Sequence, residues 1–516
     1  MIRSSHDVVV VGAGATGLAA AIALTERGRS VLLVDAGPPI ESRREQARRS
    51  SDPGASALAI DESLPRWAVP HTRHLFVDDD AHPYTTPEGR PFHWVRGRQL
   101  GGRLQTWGRV SLRMTDRELA GHSRDGLGVD WPLGYAELEP FYRRVERLLR
   151  VCGQADGGEV VPDGEFVAPL PPGPGEDAFR AALGRIAPGQ RVLAGRLALT
   201  NPVSLVRQAE KSGLLTIRPN SIVTRIETDL STGRATGVVV VDTAHGASAL
   251  VPATTVCLGA SSIESVRILL DSAGPRHPDG LGNSSGTLGR YLLDHLTVMA
   301  CGIHDKAPVD DSLDAALAGA AYCHIPSVMP DDPRALARPF GVQLSIYRGI
   351  PRVYPRMFAP MIEEAVRRRA VPFWIQSFGE VLPRADNRVT LSERRDRWTA
   401  RVPTIDFRYS DAERALAANM ARTMRAMAEA AGFTVLYDDL AALCPGASAH
   451  ELGGARMGTS SADSVVRADH RLWDADNVYV VDGACWPSSG WQNPTLTMMA
   501  LALRAAEHIA ASLARV

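Results

Sequence analysis

Apolar runs and stretches with helical spacing divide the chain into recognisable pieces. Val8-Val-Val-Val11 is a short β-branched run; three spaced glycines follow, then the Ala/Leu-rich pattern Leu18–Leu24, then a second apolar run, Val31–Val34. Short apolar runs read as buried strands and the pattern between them as a helix, so the first 35 residues predict a strand–helix–strand unit. Tyr135 to Leu149 repeats its apolar residues at helical spacing and predicts a strongly amphipathic helix. Leu214–Ile226, broken by a Pro-Asn turn, and Gly237–Asp242 predict strands, while Thr254–Leu270 is a second strand–glycine–helix junction that returns the chain to the first sheet. From about 299 to 437 the pattern changes to short β-like runs, prolines and one long helix, Ser410 to Ala431. Val478–Val481 predicts a last buried strand, and Pro494-Thr495 the start of a C-terminal helix.

Between these pieces lie polar segments. The stretch after Asp35, on to about Tyr84, predicts an excursion containing one helix; Cys152 to Glu176, rich in glycine and proline, predicts a linker or surface loop. Asp305 to Arg338 reads either as a mobile loop over the site or as a surface loop. The organisation that follows is a nucleotide-binding part at 1–298, with excursions at about 40–90 and 152–195, a substrate-binding domain at 299–440, and a return to the first domain at 441–516. At 516 residues the chain exceeds one typical domain, in agreement with that division.

Composition narrows the classes. With 45% hydrophobic and 22% charged residues this reads as an ordinary globular protein, and a formal charge of −1 gives no reason to expect nucleic acid or an anionic membrane as partner. Six cysteines lie far apart without a Cys-x-x-Cys, so neither a zinc site nor a dithiol is expected, and no metal site is predicted. The first strand begins too close to Met1 for a signal peptide, and no apolar run approaches the roughly 20 residues of a membrane helix. The expected compartment is the cytoplasm.

The glycines carry the chemistry. In Gly12-Ala-Gly14-Ala-Thr-Gly17, Gly12 permits a tight turn, Gly14 lets backbone approach a pyrophosphate, and Gly17 lets the helix pack closely on the strand. The helix N-terminus offers free N–H groups and positive dipole to phosphate, and Asp35 closes the second strand as an acceptor for a ribose hydroxyl. This pattern alone leaves NAD and FAD open. Gly101-Gly102 permits close passage of backbone past a flat ligand or is a loop bend. At the other end, Asp482-Gly483 closes a strand where ligands gather, and Asn493, Pro494 and Thr495 open a helix whose N-terminus would stabilise the negative charge of a reduced flavin. That favours FAD.

At this point the chain resembles the glucose–methanol–choline (GMC) flavoprotein oxidoreductases. The residues carrying the resemblance are the Gly12/Gly14/Gly17 unit, Arg96-Gly-Arg-Gln-Leu-Gly-Gly-Arg103, Asp130-Trp-Pro132, Gly282 to His295 with its Asp294-His295 end, Asn387-Arg-Val-Thr-Leu391, His450-x-x-Gly-x-x-x-Met-Gly458 and Asn493-Pro-Thr-Leu-Thr-x-Met-Ala500. The resemblance implies an α/β fold, a Rossmann-like FAD-binding domain with an inserted α+β substrate-binding domain on an antiparallel sheet. It implies FAD held by Gly12, Gly14, Ala15, Thr16, Gly17, Asp35, Ala36, Arg98, Gly101, Gly102, Thr106, Trp107, Gly108, Val223, Gly259, Asp482, Gly483, Asn493, Pro494 and Thr495. It further implies His450 as the base that accepts the hydroxyl proton of an alcohol while hydride passes to flavin N5, with Asn493 orienting the oxygen. His295 is the second candidate for the base, a structural hydrogen bond being its preferred reading. Some sugar oxidases of the family bind FAD covalently through a histidine after the Gly-Gly turn. Here Gln105, Thr106 and Trp107 stand nearby, so noncovalent FAD is expected. Asp35 replaces a glutamate common in the family, which should still permit ribose binding.

The resulting expectation is oxidation of a primary or secondary hydroxyl of a sugar, glycoside, aminoglycoside-like or other polyol metabolite, with oxygen or a quinone as electron acceptor. Three alternatives stand beside it: oxidation of a non-sugar alcohol, lyase chemistry with FAD in a structural role, or a binding module of the same fold.

Overall fold

The computed structural model describes residues 6–39, 70–312, 320–352 and 354–514. The helix expected within 36–84 falls largely outside these residues.

The β-branched runs assemble as the pattern predicts. Strands β1 (Val8–Val11), β2 (Val31–Val34), β3 (Leu215–Arg218) and β4 (Thr255–Leu258), with the late strand Val478–Val480, form one five-stranded parallel sheet in which β1 lies between β4 and β2. β1, β2 and β4 are buried along their whole length, as parallel strands covered on both faces require. Helix α1 (Ala15–Glu26) connects β1 to β2, and its side chains are buried from Thr16 to Thr25. Its five alanines and Gly17 let a neighbouring helix come close, and α1 packs against the C-terminal helix Thr495–Leu513. That helix is by length and hydropathy apolar enough to span a bilayer, contrary to the expectation from apolar runs; 67% of the apolar window is buried inside the protein, as in a core helix.

The second sheet is antiparallel and six-stranded. Strands β5 (Leu296–His304), β6 (Ala320–Val328), β7 (Phe340–Tyr347), β8 (Val371–Gly379) and β9 (Thr434–Asp438) run in the order β9-β5-β8-β7-β6, and Leu193–Ala194 from the glycine-rich excursion adds to the β6 edge. The middle of the predicted loop 305–338, Ala320–Val328, is therefore strand β6: its alternation was masked by the surrounding Asp, Pro and Ala.

Alternation along these strands separates two faces. Val298, Ala300, Val342, Leu344, Phe373 and Ile375 lie on one face and are buried. The long helix Asp411–Ala430 covers this face, and a Cβ on Gly379 would meet Leu416 and Met420 of that helix. A reciprocal capping box fixes the helix start: the Glu413 N–H donates to Ser410 Oγ at 3.3 Å and the Ser410 N–H to Glu413 Oε2 at 2.6 Å. The opposite face carries Met299, Gln376, Gln343, Trp374 and Tyr322, and it looks into the cleft.

Candidate active site

A cleft runs from the ends of the parallel strands to the open face of the antiparallel sheet. At its nucleotide end the Gly-rich turn is held tightly. Gly12 has φ +93°, and a Cβ there would stand 2.5 Å from the Gly259 carbonyl oxygen; at Gly17 it would stand 1.8 Å from the Gly12 oxygen. A Cβ on Gly14, by contrast, would meet nothing within 4 Å and would project into open space. The start of α1 has no side-chain cap, so its first N–H groups face the same space.

Asp35 lies in the cleft wall, but its carboxylate is already engaged: Oδ2 accepts from the Ala13 N–H at 2.7 Å and Oδ1 from the Gly37 N–H at 2.9 Å. It therefore ties the turn to the end of β2, and burial raises its pKa against those two bonds. Asp482, at the end of the late strand, accepts from Ser265 Oγ at 2.5 Å and the Ala484 N–H at 2.9 Å, and burial pushes it up to about 6.

Of the predicted cofactor positions, Gly12, Gly14, Ala15, Thr16, Asp35, Ala36, Arg98, Gly102, Thr106, Trp107, Gly108, Val223, Gly259, Asp482, Gly483, Asn493, Pro494 and Thr495 all line this cleft. Gly17 and Gly101 do not. Gly17 is spent on helix–strand packing, and Gly101, at φ +88°, donates its N–H to the Ala13 carbonyl at 2.9 Å, locking the second glycine turn onto the first. Among the lining residues outside the predicted set are Arg103, which ends the Arg96–Arg103 motif, Ser261 and Glu264, which sit in the second strand–glycine–helix junction, and Ser221, which carries no motif.

His450 sits at the opposite end. Leu293 and Leu452 form an antiparallel bridge, with N–H···O distances of 2.7 and 2.9 Å, and two residues inward on each chain this register brings His295 opposite His450. Their Nδ1 atoms are 3.0 Å apart, and His295 Nε2 lies 3.0 Å from the Gly490 carbonyl oxygen. A carbonyl only accepts, so His295 Nε2 carries the hydrogen; neutral His295 then accepts at Nδ1, and His450 donates from Nδ1. The lone pair of His450 is thereby assigned to Nε2. Burial holds both imidazoles neutral: His295 is lowered to about 4, and His450 well below the usual imidazole range by burial, then by His295 and Arg103. His295 was read as a second candidate base; it is buried against His450 and makes a structural hydrogen bond.

The loop bearing His450 is fixed from two sides. Asp294 accepts from the Gly446 N–H at 2.8 Å, from Ser448 Oγ, and from the His450 N–H at 3.3 Å. Arg103 donates to the Ala449 carbonyl at 2.6 Å and to Glu451 Oε2 at 2.7 Å. Ala449 is held at φ +55°, a costly conformation for a residue with a Cβ, which these bonds offset.

Asn493 is positioned by the residues before it. Trp491 lies on Gly341 of β7, where a Cβ would stand 2.0 Å from the indole, and Gln492 is fully buried. Asn493 Oδ1 then accepts from Gln343 Nε2, and the Gln343 carbonyl accepts from the Tyr322 hydroxyl at 3.4 Å. This chain consumes the Asn493 oxygen and leaves its NH₂ for the cleft. Next to it the C-terminal helix opens with Pro494 and no side-chain cap.

Comparison with known proteins decides the family. Residues 7–278 match the family model "FAD dependent oxidoreductase" and residues 383–502 match "GMC oxidoreductase". The chain belongs to the GMC family of FAD-dependent oxidoreductases. It is similar to the fructose dehydrogenase large subunit of Gluconobacter japonicus, 29% identical over 98% of each chain, and to the 6'''-hydroxyparomomycin C oxidase of Streptomyces lividus, 30% identical over 98% of this chain and 92% of that one. Among solved structures it resembles pyridoxine 4-oxidase from Mesorbium loti, with a TM-score of 0.65 at 20% identity over 98% of this chain and 99% of that one, a likeness of fold.

As a GMC oxidoreductase the protein is an FAD-dependent enzyme that oxidises CH–OH groups. The cleft fits that cofactor on its own geometry. Gly14 leaves a cradle that a side chain would fill, two uncapped helix N-termini open into one space, and Trp107 Nε1 and Glu451 Oε1 are buried polar atoms without a protein partner among the described residues.

Proposed function

We propose that the enzyme oxidises a primary or secondary hydroxyl of a sugar, glycoside or related polyol, with His450 as base and Asn493 as the group that orients the alcohol. The observation that carries this reading is the hydrogen-bond chain from the Gly490 carbonyl through His295 to His450, which leaves a neutral Nε2 lone pair at the cleft. That atom takes the hydroxyl proton as the carbonyl forms, and no protein group bonds it among the described residues. The Asn493 NH₂ donates to the same oxygen and holds the carbinol C–H in one direction. When bound, FAD supplies the acceptor for the carbinol hydride. Proton and hydride leave to different acceptors, and the product is the aldehyde or ketone.

The relative named for fructose supports a sugar or related polyol as the substrate class. Thr106 and Trp107 after the glycine turn offer no histidine for attachment, so we read the FAD as noncovalent; flavin left on acid-precipitated protein would refute this. The electron acceptor is oxygen or a quinone. The free thiols of all six cysteines support a reducing, cytoplasmic location.

The test is anaerobic flavin bleaching by a panel of sugars, glycosides and simple alcohols. His450→Ala should lower the reduction rate by roughly 10²- to 10⁴-fold with FAD still bound. Unchanged reduction in that variant sinks the assignment, and product formation without bleaching points to lyase chemistry instead.

A further inference from the structure

The substrate half of the cleft is a single sheet face, and its chemistry is uniform. Antiparallel register sets its rows: Met299, Gln376 and Gln343 in one, Cys301, Trp374, Ser345 and Tyr322 in the next. Tyr347 and Phe358 flank the second row. Among the described residues, none that lines the cleft between 299 and 378 is charged. Every carboxylate in the lining belongs to the cofactor side: Asp35, Glu264, Glu451 and Asp482. Each is bonded to protein through at least one oxygen, Glu264 to Arg98 and Arg267, and Glu451 through Oε2 to Arg103 with its Oε1 buried among the cofactor-side residues.

The aromatic groups form a braced wall. Trp374 meets the Tyr322 ring edge-on at 5.4 Å between centroids and the Phe358 ring at 6.4 Å, and its indole N–H bonds the Tyr347 hydroxyl. Burial holds both phenols in the neutral form. Gln376, one row closer to the catalytic pair, offers an amide that donates and accepts without charge. The cation whose charge acts on His450 is Arg103, which is itself bonded to Glu451.

We propose that this face selects an uncharged sugar or glycoside, which lays an apolar ring face or aglycone on the Trp374 wall and bonds a hydroxyl to Gln376, and that it rejects amino sugars carrying ammonium groups. An ammonium entering here would shed water without meeting a carboxylate, a cost that a single aromatic face does not repay. The proposal rests on the reading of the cleft as an alcohol-oxidising site. It separates this enzyme from relatives named for aminoglycosides.

The experiment titrates the holoenzyme with glucose, methyl and phenyl β-glucoside, N-acetylglucosamine and glucosamine at pH 6, where the free amine is protonated. Binding is read as perturbation of the visible flavin spectrum and turnover as anaerobic bleaching. Neutral sugars should bind at least about tenfold more tightly than glucosamine, with phenyl glucoside tightest and N-acetylglucosamine grouping with the neutral set. Gln376→Glu should narrow that ratio by about tenfold. Trp374→Ala should weaken the glucosides about tenfold, and Trp374→Phe should restore most of the loss. Equal or tighter binding of glucosamine by the wild type overturns the proposal. So does a ratio unmoved in Gln376→Glu, or a panel in which no sugar perturbs the flavin. Binding in the expected order without bleaching leaves the selection standing and removes the oxidation reading instead.

Discussion

The two halves of the cleft are built by opposite means. The cofactor half is made of backbone: glycines at the ends of parallel strands, uncapped helix N-termini, and carboxylates such as Asp35 and Asp482 that hold loops in place. The substrate half is made of side chains standing on alternate positions of an antiparallel sheet, neutral throughout among the described residues. A backbone site accepts one ligand shape and tolerates little substitution. A sheet face can change its specificity residue by residue while its buried side keeps the fold. His450 and Asn493 lie where the halves meet, and each is oriented by a group from the sheet or from the residues that lead into it, Gln343 and His295.

The largest break in this comparison should come from Gly12→Val. Its side chain would collide with Gly259 and Ala260 at φ +93°, so the protein should be isolated with FAD largely absent, read as the 450 nm absorbance per polypeptide, while near-native helix content persists by circular dichroism. Full FAD occupancy would show that the turn is not the anchor.

A smaller, kinetic effect is expected at the junction. His295→Ala should slow flavin reduction by roughly 10²-fold with FAD bound, because His450 loses the partner that fixes its tautomer. His295→Gln, which can accept from His450 and donate to Gly490, should recover part of the rate. The pH profile sharpens this. A base lowered well below 6.5 keeps the wild-type rate level from neutral pH down into acid, and the rate falls only as His450 protonates. In His295→Ala, water entering the vacated space relieves the burial, and the acid limb should move to higher pH.

The smallest effect concerns Asp294, whose carboxyl burial pushes up to about 7 although Ser448 and the Gly446 N–H oppose it. A folded pKa above the unfolded value of 3.8 gives stability that is full below the unfolded pKa and lost as pH rises through about 7. Asp294→Asn does not titrate, so its deficit in Tm against wild type should be larger at pH 5 than at pH 8. A deficit independent of pH would mean that Asp294 is ionised throughout.

The cofactor half was legible in the sequence because backbone demands leave glycine at fixed spacing. Gly12, Gly14 and the Val8–Val11 and Val31–Val34 runs predicted strand, turn, helix and ligand together, and only Gly101 and Gly17 proved to serve the packing of the turn instead of its lining. The resemblance added His450 and Asn493. The substrate face left no such trace. Tyr322, Gln343, Trp374 and Gln376 are ordinary residues on separate strands, and the stretch that includes β6 reads as a loop because its neighbours are Asp, Pro and Ala. Asp294-His295 was visible as a motif, but its task was not, since nothing local says that His295 faces His450 across a bridge at Leu293 and Leu452.

By itself, then, the sequence determined the nucleotide fold and, through the family resemblance, the cofactor and the candidate pair His450 and Asn493, because these depend on local backbone geometry and on motifs that are contiguous. The tertiary structure alone decided which nitrogen of His450 is free, which end of the Asn493 amide faces the cleft, and that the substrate wall is uncharged. Those properties are set by hydrogen bonds and register between segments some 155 and 150 residues apart for His295–His450 and Gln343–Asn493, and no local pattern encodes a partner at that distance.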